Sequence, residues 1–154
     1  LKTARYPHVI KTIVDLETAL HDFDANGTPA KTTKISFENL NSRPVVAEDA
    51  RFLVVSADYT RLMRSLKRRE RFDSIPIEQV PLGLVKDQDE VKILQLTQAS
   101  YELMQLCDGS RTIKQIAGQF SAAKKLGVLP LKASIYGLAS LARQGFINIA
   151  SSSN

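Results

Sequence analysis

The sequence is poor in the residues that form covalent cross-links and metal sites. Its 154 residues include one cysteine, two histidines and no tryptophan. One cysteine cannot form an intramolecular disulfide, which favours a reducing compartment, and we expect a cytoplasmic protein. His8 and His21 are too far apart in the sequence to form a zinc-binding pair on adjacent turns of one helix. Cys107 lies among apolar positions, which favours a core thiol over a nucleophile or metal ligand.

Several functional signatures are also missing. No apolar run approaches the roughly 20 residues needed to cross a bilayer, and no signal-peptide core opens the sequence, so no membrane association is expected. There is neither a phosphate-binding glycine loop nor a G-x-S-x-G elbow. We therefore expect a non-catalytic chain that binds no cofactor of its own.

The chain has an excess of basic residues, with a formal net charge of +5 and a pI near 9.4. Much of the excess lies between positions 61 and 71, a segment that contains six basic residues and one acidic residue, Glu70. This segment is either a solvated helix face or a docking surface for an acidic partner or nucleic acid. The candidate partner-docking residues are Arg61, Arg64, Lys67 and Arg68.

The N-terminal half shows a simple order of predicted elements. An amphipathic helix begins at Pro7, and the sequence 26–29 ends it. A mainly irregular connection covers 29–50, a strand covers 50–56, and a helix capped by Asp58 carries the basic segment. Two prolines make 72–81 an extended connector. We divide this half into 1–50, the N-terminal helix and connector, and 51–81, the strand, basic helix and linker.

The C-terminal part, 82–150, has the element order of a winged helix-turn-helix. Residues 82–96 predict a β-hairpin with its tip at 87–90. Three helices follow, with Thr97 and Thr112 capping the first two and Pro130 in the first turn of the third, and a closing strand begins at Phe146. We expect an α+β protein in which the closing strand and the hairpin strands form one small sheet, preceded by a helical segment.

A winged helix can bind DNA or a peptide, and helix 130–143 bears on the choice. A DNA-reading helix presents basic and amide side chains to base edges, but the only basic ones here are Lys132 and Arg143. A row of small residues lets another backbone approach this helix, either a peptide or another part of the same chain such as the N-terminal helix. An extended peptide would add to the unpaired sheet edge, with apolar side chains in the groove between hairpin and helix. The small row is Ala133, Gly137 and Ser140, and the candidate groove lining is Val91, Ile93, Leu131, Ile135 and Leu138.

The run LQLTQASYELMQLCDGSRTIKQIA at 94–117, with LARQGFI at 141–147, resembles the PqqD-like winged helix that serves as a RiPP recognition element. Such domains bind the leader of a ribosomally made precursor peptide and present it to a tailoring enzyme. The segments YPHVI (6–10), LETALHDFD (16–24) and ARFLVVS (50–56) are similar to partner subunits of multinuclear iron oxidases that modify cysteine-containing peptides. This resemblance implies that the iron and the catalysis belong to the enzyme subunit of a hetero-oligomer. It also implies that this chain keeps the last helix of a longer N-terminal helical region. A DNA-binding transcriptional regulator is the alternative.

Overall fold

The computed structural model describes residues 5–26, 31, 33–123 and 128–150 of the chain. Within these ranges the protein is mixed α+β, as predicted, with five helices and five strands. In chain order they are α1 (Pro7–Asn26), β1 (Pro44–Val46), β2 (Ala50–Ala57), α2 (Tyr59–Arg68), β3 (Ile77–Asp87), β4 (Glu90–Gln95), α3 (Gln98–Gln105), α4 (Ile113–Ala123), α5 (Val128–Arg143) and β5 (Ile147–Ile149). None of the helices in the described ranges is long and apolar enough to span a bilayer.

Three of the predicted helix starts are confirmed by their caps, whereas α5, predicted over 130–143, begins two residues earlier at Val128. Asp58 Oδ1 accepts the backbone N–H of Arg61 at 3.0 Å, and Thr97 Oγ1 accepts that of Ser100 at 3.0 Å. Thr112 forms a reciprocal cap with Gln115, since each side chain accepts the other residue's backbone N–H. Each cap satisfies an N–H group that has no partner within its own helix. The expected stop at 26–29 lies partly outside the described residues.

Strands β2, β3 and β4 form an antiparallel sheet in that order. The hairpin prediction is confirmed, because β3 and β4 pair from Asp87↔Glu90 to Leu82↔Gln95. The prediction of a connector over 72–81 is wrong for its second half, because β3 begins at Ile77. This strand runs across the boundary that the sequence placed between residues 81 and 82. Proline has no N–H to donate, and at position 81 the missing donor would face Leu96, just beyond the end of β4, so no bond between β3 and β4 themselves is lost. The Pro81 carbonyl still accepts the Leu96 N–H at 2.9 Å.

The closing strand pairs elsewhere than predicted. Strand β5 is antiparallel to β1 in a separate two-stranded sheet, with Val45 opposite Asn148. The expectations of one common sheet and of an irregular connection through Pro44 are therefore wrong. The other edge of β1 bonds the turn after α3, where the Val46 N–H donates to the Cys107 carbonyl at 3.0 Å. A three-residue strand that pairs about 100 residues away has no local sequence pattern to reveal it.

Each face of the three-stranded sheet is covered. Helix α1 packs on one face, where Leu16 joins a buried cluster with Val55, Val80 and Leu82. On the other face lies the main core, formed by α3, α4 and α5 together with Phe146. Phe146 is fully buried, and its ring lies against Gly83 of β3. The alternation of side chains along β2 and β3 sends neighbouring residues to the two separate clusters.

Candidate functional site

Strand β4 exposes an unpaired edge. The Leu96 N–H donates to Pro81, and hydrogen bonding alternates along an antiparallel ladder, so the backbones of Leu94 and Lys92 face β3. The N–H and C=O groups of the intervening residues Val91, Ile93 and Gln95 point outward. These groups have no backbone partner in the described ranges. An edge of this kind is a template for an added strand.

The other outer strand, β2, already uses part of its edge. The same alternation directs the backbones of Ala50, Phe52, Val54 and Ser56 outward, and two of these four residues have partners there. The Ala50 carbonyl accepts the Arg51 guanidinium at 2.8 Å, and its N–H donates to the Ala47 carbonyl at 3.2 Å. The Ser56 N–H donates to Thr12 of α1 at 3.3 Å. The sequence did not show which edge is free, and this comparison favours β4.

The side chains of β4 divide between the two faces of the sheet. Ile93, opposite Leu84, packs on the α1-side cluster, and Val91 has the same parity. Leu94, opposite Gly83, packs on the main core that contains Ile135 and Leu138 of α5. Val91 and Ile93 therefore lie on the opposite face of the sheet from Ile135 and Leu138. The β4 side chain that packs in the same core as these two α5 residues is Leu94.

The predicted α5 residues occupy different environments. Ile135 and Leu138 are 3% and 0% exposed and are core residues, whereas Leu131 is 36% exposed. In the small row, Ala133 is exposed, and Gly137 and Ser140 are half-buried. A Cβ atom at Gly137 would lie 3.1 Å from Cδ1 of Leu103, so glycine at this position allows α3 and α5 to pack closely.

The connector before β1 also lies against α5. The Thr33 N–H donates to the Ala142 carbonyl at 3.2 Å, and the rings of Phe37 and Tyr136 meet edge to face with centroids 5.9 Å apart. The N-terminal helix, expected as one chain segment that could cover α5, packs on β2 instead. A cavity of about 470 Å³ remains beside the connector, lined by Thr33, Lys34, Ile35, Ala139 and Arg143.

Helix α2 places the basic residues near the end of β4. Thr60 Oγ1 donates to Gln95 Oε1 at 2.8 Å, and Tyr59 packs on the same cluster as Ile93. The predicted docking residues are all exposed. Arg61 pairs with Asp58 at 3.5 Å and Arg68 pairs with Glu70 at 3.8 Å. Arg64 and Lys67 form no ion pair within the described ranges.

The cysteine and the two histidines lie in separate parts of the described structure, Cys107 in the main core and His8 and His21 on α1. Burial, together with the charge of Asp108, raises the pKa of the Cys107 thiol to about 12, so the thiol is protonated at neutral pH. Its Sγ lies 3.4 Å from the Leu103 carbonyl oxygen. His8 Nε2 lies 3.0 Å from the Ile75 carbonyl oxygen, and His21 is exposed on α1. In the parts of the chain that the structure describes, no three His, Cys, Asp or Glu side chains converge to hold a metal.

Comparison with known proteins gives no assignment: no family model matches the chain, and no curated protein matches it.

Proposed function

We propose that this chain is a non-catalytic partner protein that binds the leader of a ribosomally made precursor peptide and presents it to a tailoring enzyme. The exposed edge of β4 is the observation that carries the proposal. Strand addition there would pair the outward backbone groups of Val91, Ile93 and Gln95 with the peptide. The kind of enzyme, a multinuclear iron oxidase, comes from the sequence resemblance.

A strand added to β4 would have an apolar side chain of β4 beside it on each face of the sheet. One side of the bound strand would lie next to Ile93 on the α1 face, and the other next to Leu94 on the α5 face. Backbone hydrogen bonds supply affinity for extended peptides in general, whereas contacts with alternate side chains select among them. A captured leader raises the effective concentration of the attached core peptide at the enzyme, and this chain needs no catalytic group for that task.

The test is fluorescence anisotropy with a labelled leader of a candidate precursor peptide, added with and without the tailoring enzyme. Val91→Pro removes an outward N–H without removing a β3–β4 hydrogen bond, because proline is tolerated on an edge where the N–H faces solvent. We expect this variant to weaken binding at least about tenfold, through the lost hydrogen bond and the blocked edge. The matched control Val91→Thr keeps the N–H and should bind within about twofold of wild type.

Saturable leader binding that Val91→Pro leaves unchanged would exclude capture at β4. No leader binding, with or without the enzyme, would refute the proposal as a whole. Circular dichroism of each variant shows whether the sheet is intact, which separates a lost edge from a lost fold.

A DNA-binding regulator is the second candidate, and the exposed basic face of α2 is the observation that favours it. In a winged helix, however, the third helix reads the major groove, and the described part of α5 carries only Lys132 and Arg143 as basic residues. A salt titration separates the two functions. Phosphate-driven affinity for duplex DNA falls steeply with salt, whereas strand and groove contacts with a leader weaken much less.

A further inference from the structure

Arg64 and Lys67 lie on the exposed face of α2, which also carries Thr60. They follow Thr60 by four and seven residues, so the three side chains share one face of the helix. The hydrogen bond from Thr60 to Gln95 brings the first turn of this face to the C-terminal end of β4. Both cations are exposed and lack an ion pair within the described ranges, so their charge is available to a ligand.

The opposite end of the edge carries negative charge. The β3–β4 turn holds three carboxylates, of Asp87, Asp89 and Glu90, and Lys92 pairs with the first of them. Asp89 and Glu90 are exposed and have no ion pair in the described ranges. Five residue steps separate Glu90 from Gln95, which is about 17 Å at the usual rise of a strand. The edge therefore has a basic end beside α2 and an acidic end at the turn.

We propose that this edge selects an extended peptide whose acidic side chains lie at the N-terminal end of the bound segment; the inference rests on the proposed strand capture. Both pairings within the sheet are antiparallel, and antiparallel pairs are slightly more stable than parallel ones. An antiparallel ligand begins beside Gln95 and ends at the turn. Acidic side chains at its start would meet Arg64 and Lys67, whereas the same side chains at its end would meet Asp89 and Glu90.

Two capped nonapeptides of identical composition test this polarity by isothermal titration calorimetry. The first is Glu-Glu-Thr-Val-Thr-Val-Thr-Gln-Gln, and the second is Gln-Gln-Thr-Val-Thr-Val-Thr-Glu-Glu. Because their net charges are equal, general attraction to a protein of net charge +5 cancels in the comparison. We expect the first to bind about fivefold more tightly at about 20 mM salt, as two exposed charge pairs allow, and nearly equally at about 500 mM.

Two double variants, each of which removes two positive charges, show which basic residues cause the preference for the first nonapeptide. The double variant Arg64→Gln, Lys67→Gln should reduce the preference to below about twofold. The double variant Arg69→Gln, Arg71→Gln removes the same charge beyond the end of α2, where Arg71 acts electrostatically on Tyr6 at the start of α1. This control should keep the preference of the wild type.

The outcomes distinguish this inference from the proposed function. If the precursor leader binds but the two nonapeptides bind equally, or not at all, polarity selection is refuted and leader capture stands. Tighter binding of the second nonapeptide also refutes it, as does an equal loss of preference in both double variants. If neither the leader nor the nonapeptides bind, both proposals fail.

Discussion

Replacing Gly83 by alanine should destabilise the protein, because Phe146 occupies the space that a Cβ atom needs. That atom would lie 2.5 Å from Cε1 and 2.6 Å from Cζ of the ring. Phe146 is 0% exposed, so its ring cannot swing into solvent. Over-packing a core costs about 1–3 kcal/mol, and alanine recovers about 0.5–1 kcal/mol relative to glycine in a strand. We expect the free energy of unfolding to fall by about 1–2 kcal/mol.

Urea unfolding followed by far-ultraviolet circular dichroism measures this change, since the chain has no tryptophan to report it. Gly118→Ala is the matched control, because a Cβ atom there would meet nothing within 4 Å. In α4 that substitution should stabilise the protein by about 0.5–1 kcal/mol. Adding Phe146→Leu to Gly83→Ala should cost less than the sum of the two single changes. If Gly83→Ala were as stable as Gly118→Ala, the contact between β3 and Phe146 would be refuted.

Three further predictions concern single side chains. Because burial raises the pKa of Cys107 from 9.0 to about 12, the folded state binds its proton more tightly than the unfolded state does. Stability should therefore fall as the pH rises above about 9, and urea midpoints at pH 7 and about 10 should differ less in Cys107→Ala than in wild type. Asp58→Ala removes the acceptor of the Arg61 N–H and should cost about 0.5–2 kcal/mol in urea unfolding, against less than about 0.5 kcal/mol for the capping replacement Asp58→Asn. Phe37→Ala removes the edge-to-face contact with Tyr136 and should cost about 1 kcal/mol or less; a larger loss would show that the connector is part of the core.

Elements with a strong local pattern could be predicted from the sequence. The caps at Asp58, Thr97 and Thr112 combine a side-chain acceptor with a following amphipathic stripe, and all three start helices. A polar turn between two apolar runs predicts the hairpin tip, and β3 and β4 pair on either side of it. These signals act over a few residues, so one sequence is enough to detect them.

The candidate site depended on long-range pairing, which the sequence does not encode locally. Strand β5 pairs with β1, and the sequence around Pro44 has no alternation that would mark β1 as a strand. Neighbouring residues of a strand point to opposite faces of the sheet, so an assignment that is wrong by one residue selects the wrong face. Val91 and Ile93 were predicted to line the groove, but Leu94 is the residue that points toward α5. The contact between Thr60 and Gln95, which brings the basic helix to β4, joins residues 35 positions apart.

The packing of the sheet leaves its edges as the surfaces that an added strand can reach. Helix α1 covers one face, and the core of α3–α5 with Phe146 covers the other, so the sheet can accept a ligand only along an outer strand. On β2, the Arg51 side chain and Thr12 of α1 already bond outward backbone groups. Strand β4 keeps the outward groups of Val91, Ile93 and Gln95 without backbone partners in the described ranges, and it has the basic side of α2 at one end. Under the proposed strand capture, the arrangement that buries both faces of the sheet would direct an extended ligand to β4 and set the charge that the ligand meets there.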